Sequence, residues 1–106
     1  MLVYTSGTTG VSKGVMISHD NLFYLDVALS NELVKPGYKL ISFLPTSHIA
    51  GLSLDVFGVF IHGCCCYFAG REALRGELLF YLQSVRPNIF LGVPRVYEKM
   101  KDKIIK

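Results

Sequence analysis

Apolar residues along this chain fall partly into short unbroken runs and partly into spaced stripes, and each change of period marks a new element. "LVYTS", residues 2–6, reads as the end of a strand, and "GVMIS", residues 14–18, as a second extended run, with a glycine- and hydroxyl-rich loop between them. Ser18 or Asp20 then caps a helix whose Leu22, Leu25 and Leu29, with Phe23 and Val27 alongside, make an apolar stripe as far as Leu33. "KPGYK" ends it, because Pro36 cannot continue a helix and Gly37 accepts a turn geometry. The pattern then becomes regular. It predicts a strand over 40–44, a loop over 45–51, a buried helix over 52–61 and a strand over 65–69. A helix over 72–85 follows, with Leu74, Leu78, Leu79 and Leu82 on one side, then a strand over 88–93. The closing helix, 96–105, has Val96, Met100 and Ile104 four apart. Strands alternating with helices at this spacing imply right-handed βαβ crossovers, so the strands over 40–44, 65–69 and 88–92 are expected to be parallel neighbours or near neighbours. The fold class is α/β.

At 106 residues, with no internal repeat or low-complexity tract, the chain holds one domain or one piece of a domain, 1–106, and no second one. With 51% hydrophobic and 18% charged residues it has the composition of a well-buried segment, which excludes a disordered chain. Much of the net charge of +3 comes from Arg95, Lys99, Lys101, Lys103 and Lys106, set against Glu98 and Asp102. This reads as a solvated helix end, and no nucleic-acid partner is expected. The stretch 51–70, "GLSLDVFGVFIHGCCCYFAG", is long enough to raise the question of a membrane span. Asp55, His62 and four glycines argue instead for a buried helix followed by a buried strand. No basic region with an apolar core and cleavage site leads the chain, so reduced cysteines are expected. Cys64, Cys65 and Cys66 are consecutive, which suits neither a disulfide framework nor a zinc knuckle; on a strand Cys64 and Cys66 face one way and Cys65 the other.

The loop between the first two strands carries the chemistry. Phosphate oxygens are bound by converging backbone N–H groups, by hydroxyls and by a cation within reach. "YTSGTTGVSKG", residues 4–14, supplies Gly7, Gly10 and Gly14 for close backbone approach, Ser6, Thr8 and Thr9 as hydroxyls, and Lys13 as the charge. It is not a Walker A loop, since Ser12 and Gly14 flank Lys13 where that motif needs a glycine and then a Ser or Thr, and no G-x-G-x-x-G occurs. The string resembles the phosphate loop of the adenylate-forming enzymes, the superfamily of acyl-CoA synthetases, luciferases and peptide-synthetase adenylation domains, whose usual form is [YF]-T-S-G-[ST]-T-G-x-P-K-G. Only Ser12, standing where proline is usual, departs from it. "GVMISHDNL" is similar to the strand and helix start that follow this loop in the family, and "FLPTSHIAG" to its next motif, with Thr46 where leucine is common. "RPNIFLGVPRVYEKM" resembles a segment of the long-chain fatty acid–CoA ligase branch, closest to its bubblegum-type members.

The resemblance implies a parallel-sheet βαβ piece of the large amino-terminal domain of an adenylate-forming enzyme. It implies a partial adenylation domain, with the similarity covering only a middle part of a family enzyme. The reaction it implies is ATP-dependent: a carboxylate attacks the α-phosphate to give an acyl-adenylate and pyrophosphate, and coenzyme A then displaces AMP. Thr5, Ser6, Gly7, Thr8, Thr9, Gly10 and Lys13 would hold the ATP phosphates, with Lys13 and Thr8 the catalytic residues and Thr8 the hydroxyl nearest Mg²⁺. His48, at the end of a predicted parallel strand, is the substrate-binding candidate for the acyl or carboxylate pocket, set against a capping or core role. His19 is explained by a local hydrogen bond, and His62 matches nothing in the family. Arg95 stands at a helix start, where a cation is unfavourable, which calls for a carboxylate partner or a ligand. Leu52, Leu54, Phe57 and Phe60 could line an acyl tunnel, or be plain core at helical spacing. A long-chain fatty acid, ATP and CoA are the implied partners, and a cytoplasmic place peripheral to a membrane such as the endoplasmic reticulum is expected, through regions absent here. Two other readings stay open: a non-catalytic remnant that binds nucleotide or protein, and an adenylating enzyme of an aryl or amino acid branch. The family's acidic motif, ribose-binding aspartate and mobile carboxy-terminal domain have no counterpart in these residues, so the 106 residues alone are expected not to complete a catalytic cycle. With mean hydropathy at +0.40 they are expected to be marginally stable and prone to associate.

Overall fold

The two extended runs at the start form an antiparallel hairpin. β1 (Leu2–Thr5) pairs with β2 (Lys13–Met16) from Leu2 opposite Met16 to Thr5 opposite Lys13. The ladder continues one step outward, where the Ile17 N–H donates to the Met1 carbonyl at 2.9 Å and the α-amino group donates to the Ile17 carbonyl at 3.0 Å. The computed structural model describes residues 1–6, 8 and 10–105. Gly7 and Thr9 lie outside the described residues, as do the side chains of Leu29 and Ile104.

Ser18 starts α1 (His19–Leu33) with a reciprocal cap. Its hydroxyl accepts from the Asn21 N–H at 3.0 Å, and Asn21 Oδ1 accepts from the Ser18 N–H at 3.1 Å. Of the expected stripe Leu22 is buried, whereas Leu25, Phe23 and Val27 are exposed and Asp26 is buried in their place. Leu22 and Asp26 are four apart and share one line of the helix, so α1 meets the neighbouring helical layer along a narrow, partly polar strip.

β3 (Lys39–Ser42) and β4 (Cys65–Phe68) are parallel, from Lys39 opposite Cys65 to Ser42 opposite Phe68. The crossover between them is one helical run: α2 (Ile49–Gly51), a π-helical segment (Leu52–Phe57) and α3 (Gly58–His62). Its buried positions are Gly51, Asp55 and Gly58. Leu52, Leu54 and Phe57 are half-buried and Phe60 is 83% exposed, so the expected wholly apolar inner face is replaced by small residues and one acid. Cys64 is buried, Cys65 exposed and Cys66 half-buried, as alternation along an extended chain requires.

Two expectations are corrected. The helix over 72–85 is broken into a 3₁₀ turn (Arg71–Arg75) and α4 (Leu78–Val85), because Gly76 between them takes φ 127°, outside any right-handed helix. Residues 88–93 run beside β3 without forming a third strand. The Asn88 N–H donates to the Lys39 carbonyl and the Lys39 N–H donates to Asn88 Oδ1, both at 2.9 Å, and no regular ladder follows. Pro87 lacks a donor at the entry, and Gly92 and Pro94 end the extended stretch before it can lengthen. Packing holds the segment in a strand's place, since the Phe90 ring stacks on Phe43 with centroids 5.3 Å apart.

Chain order and the right-handed rule put the crossover helix and α4 on opposite faces of the β3–β4 pair. The core lies on the α4 side, where Ile41 and Phe43 pack with Ala73, Leu78 and Val96, the last from α5 (Pro94–Ile104). The α/β class holds, with a hairpin and a parallel pair as its two sheets. Among the described residues no helix is long and apolar enough to cross a membrane.

Candidate functional site

The loop leaving β1 is closed at its base by the Thr5–Lys13 pair, and the Thr5 hydroxyl donates to the Lys13 carbonyl at 3.5 Å, the outer limit of a hydrogen bond. Thr5, Ser6, Thr8, Gly10 and Lys13 are all exposed. Gly10 has φ +82°, and a Cβ there would meet nothing within 4 Å, so backbone angle and not space requires glycine. Thr5, Ser6, Thr8 and Lys13 thus lie, exposed, on the loop and its base, bringing three hydroxyls and one ammonium to one end of a two-stranded support. That donor set suits polyanionic oxygen.

His48 stands at the other sheet, after β3 and its outgoing loop. It is exposed and serves as the N-cap of α2, its Nδ1 accepting from the Ala50 N–H at 3.2 Å. Because Nδ1 accepts, the proton of the neutral ring lies on Nε2. Position is set by Gly51: a Cβ there would come within 2.8 Å of the Pro45 carbonyl oxygen and 3.2 Å of that of Leu44. The helix backbone therefore rests directly on the loop that carries His48. No hydrogen bond among the described residues joins His48 to the loop after β1.

Further along the same helical run lies a polar group outside the motifs, Asp55. Asp55, in the π-helical segment, is 7% exposed, and burial pushes its carboxyl above the ordinary value while a hydrogen bond with the Ser42 side chain pulls it back. Ser42 is buried on β3. Burial also raises the Cys66 thiol on β4, and the nearby Asp55 charge raises it further. Asp26 is a second buried acid, raised by burial and eased by the charge of His62. The one signal in the sequence is a lone acid inside an apolar run, visible at Asp55 and silent about Ser42. Of the other flagged residues, Arg95 is exposed in the first turn of α5. No group of three or more potential metal-ligating acids, histidines or cysteines occurs among the described residues.

Comparison with known proteins bears on the family of the chain. Residues 1–105 match the pattern of the family described as AMP-binding enzyme. The chain is 47% identical to the long-chain-fatty-acid–CoA ligase ACSBG2 of Rattus norvegicus over 98% of its own length, which is 16% of the rat protein. It is 40% identical to the long-chain-fatty-acid–CoA ligase heimdall of Drosophila melanogaster, covering 99% of this chain and 16% of that one. Among solved structures, o-succinylbenzoate coenzyme A synthetase (MenE) of Bacillus subtilis in complex with AMP superposes with a TM-score of 0.78 at 26% identity, over 96% of this chain and 26% of the other. This chain thus spans about a sixth of the length of those two curated relatives.

Proposed function

Since the chain belongs to the AMP-binding enzyme family, we propose that it is the segment of an ATP-dependent, AMP-forming long-chain fatty acid–CoA ligase that supplies the ATP phosphate loop and part of the acyl site. What supports this reading is the pairing of Thr5 with Lys13, which closes the base of the β1–β2 loop and leaves Thr5, Ser6, Thr8 and Lys13 exposed on that loop and its base. In the first step a fatty acid carboxylate oxygen attacks the α-phosphorus; the bond to the bridging oxygen of pyrophosphate breaks and its electron pair leaves with pyrophosphate. In the second, the CoA thiolate attacks the acyl carbonyl and AMP departs with the electrons of the acyl–oxygen bond. Lys13 and the loop hydroxyls hold the β- and γ-oxygens where negative charge accumulates, a role of positioning and charge stabilisation. The His48 Nε2–H is suited to donate to the substrate carboxylate or its adenylate. Mg²⁺ would reach this loop on the nucleotide's own oxygens: the loop offers hydroxyls, Thr8 foremost, and no carboxylate, a donor set that fits a phosphate-borne ion keeping most of its waters.

Relatives at 40–47% identity are fatty acyl ligases, while the o-succinylbenzoate synthetase stands at 26%, which favours the fatty acyl branch over an aryl one. The test is to place Lys13→Ala and Thr8→Ala separately in a full-length ligase carrying this segment. Pyrophosphate release at saturating fatty acid should fall by on the order of 10²-fold or more, with fatty acid binding little changed. An undiminished rate in both variants would remove the loop from the mechanism.

A further inference from the structure

Ile41 and Phe43 join the core on the α4 side of β3, so by alternation Leu40 and Ser42 belong to the face toward the crossover helix. Leu40 is fully buried there, and Ser42, the last residue of β3, is buried beside it. The side chain that meets Ser42 is Asp55, from the π-helical segment, and the two are hydrogen-bonded. Cys66, opposite Leu40 on β4 and so on the same face, is hydrogen-bonded to the Ser42 backbone and lies within range of the Asp55 charge. The acid therefore reaches the parallel pair from the helix side. It is a costly group for that place, since burial raises its carboxyl and an apolar residue of similar size would carry no such cost. What the bond secures is visible in the chain path. Ser42 and Asp55 are the two ends of the corner through which the chain leaves β3 and enters the helix, and His48 lies near its middle. Within the corner the His48 N–H donates to the Pro45 carbonyl at 2.9 Å, its carbonyl accepts from the Leu52 N–H at 3.0 Å, and its Nδ1 accepts from the Ala50 N–H at 3.2 Å. The close seat of Gly51 on Leu44 and Pro45 is likewise internal to the corner. None of these contacts reaches the sheet; the Ser42–Asp55 bond does.

We propose that Asp55 is the positioning residue of His48: by binding Ser42 it anchors the crossover helix to the end of β3 and so fixes where the imidazole ring stands relative to the sheet. The π-helical turn around Asp55 fits this role, since such turns are rare and are found frequently at functional sites. What His48 does for a substrate rests on the ligase reading; that Asp55 holds it in place does not.

The first measurement needs no turnover. Amide hydrogen exchange of the 106-residue chain, read by NMR, follows the Ala50 N–H that His48 caps, with the α4 amides as the internal reference for global unfolding. Asp55→Ala and Ser42→Ala break the bond from either end, and each should speed Ala50 exchange about tenfold over that reference. Asp55→Asn keeps an oxygen for Ser42 and should stay at the parent rate. Asp26→Ala removes the other buried acid, on α1, and should also leave Ala50 unchanged. Far-UV circular dichroism checks that each variant keeps its helices, and Ser42→Ala, the milder change, decides the point should Asp55→Ala fail to fold. Unchanged Ala50 exchange in the folded bond-breaking variants, or an equal increase in Asp26→Ala, overturns the proposal. The second measurement is kinetic. In a full-length ligase carrying this segment, Asp55→Ala should raise the Michaelis constant for the fatty acid about fivefold and leave that for ATP unchanged, with Asp55→Asn at the parent value. In a His48→Asn background Asp55→Ala should add nothing, because both changes act through one ring. A further rise of the same size in that background overturns the route through His48. No effect of His48→Asn itself would instead remove the ring from the ligase reading, while the exchange rates still decide what Asp55 holds.

Discussion

Gly51 and Gly58 lie in the same helical run, both buried, and the structure gives alanine opposite effects at the two. In an ordinary helix interior either substitution gains about 1 kcal/mol, because alanine loses less backbone freedom on folding. At Gly58 a Cβ would find its nearest neighbour, the Ser53 carbonyl oxygen, at 3.7 Å, an ordinary contact, so most of that gain should appear. At Gly51 the Cβ would sit 2.8 Å from the Pro45 carbonyl oxygen and 3.3 Å from the Pro45 carbonyl carbon. These are backbone atoms and cannot rotate away, so the helix start and the 44–45 turn must part. Overpacking of this kind costs about 1–3 kcal/mol, which turns the gain into a net loss of up to about 2 kcal/mol. The two variants should therefore differ by about 1–3 kcal/mol, which corresponds to roughly 4–20 °C in Tm for a domain of this size. Thermal unfolding followed by far-UV circular dichroism measures the difference, and urea midpoints with unchanged slope check it. If Gly51→Ala raises Tm as much as Gly58→Ala does, the helix is not seated on that turn and the placement of His48 loses its support.

Ser18→Ala removes the hydroxyl half of the reciprocal cap on α1, leaving the backbone N–H of residue 18 to donate to Asn21 Oδ1, and should cost about 1 kcal/mol, read as a lower Tm with helix lost first at that end. Asp55→Asn should stabilise the chain at neutral pH. Burial raises the folded-state value of Asp55, so its favourable contribution is complete below 3.8 and is lost as pH rises through that raised value. The asparagine variant has no such titration, and its advantage in urea midpoint should grow from acid to neutral pH; an advantage that shrinks instead would show that the buried carboxylate is favourably solvated by Ser42.

Most of the fold was legible because its signals are local. Ser18 announced its cap, Pro36 and Gly37 their stop, and the runs at 40–44 and 65–69 their strands, each through a few neighbouring residues. The errors came where distant groups decide. Leu74 through Leu82 keep helical spacing across Gly76, and nothing in that spacing reveals that the backbone turns at the glycine to bring the Arg71–Arg75 segment against α5. The run at 88–93 has strand composition, yet a ladder needs a donor and an acceptor at every second residue, and the segment's pairing with β3 is confined to Lys39. At α1, three leucines outvoted Asp26 in the sequence pattern, because hydrophobic periodicity counts apolar positions and assigns an acid to water by default.

The site divides along the same line. The place of the β1–β2 loop between two extended runs was legible since glycines and hydroxyls interrupt the apolar pattern on both sides of it. His48 was not, because alone it reads equally well as a cap or as a ligand contact, and these looked like rival roles. The structure removes the rivalry. The cap consumes Nδ1, which accepts from the Ala50 N–H, and a ligand would use Nε2, whose proton the cap itself fixes in the neutral ring. A side chain that only capped could be replaced by serine or asparagine with little loss of helix stability, since both are better caps than histidine. In a full-length ligase carrying this segment, His48→Asn should therefore keep folding stability within about 1 kcal/mol of the parent while removing the ring donor. If pyrophosphate release and the Michaelis constant for the fatty acid are both unchanged in that variant, His48 is a cap and nothing more; a rise in that constant with the Tm held is the outcome the shared geometry predicts.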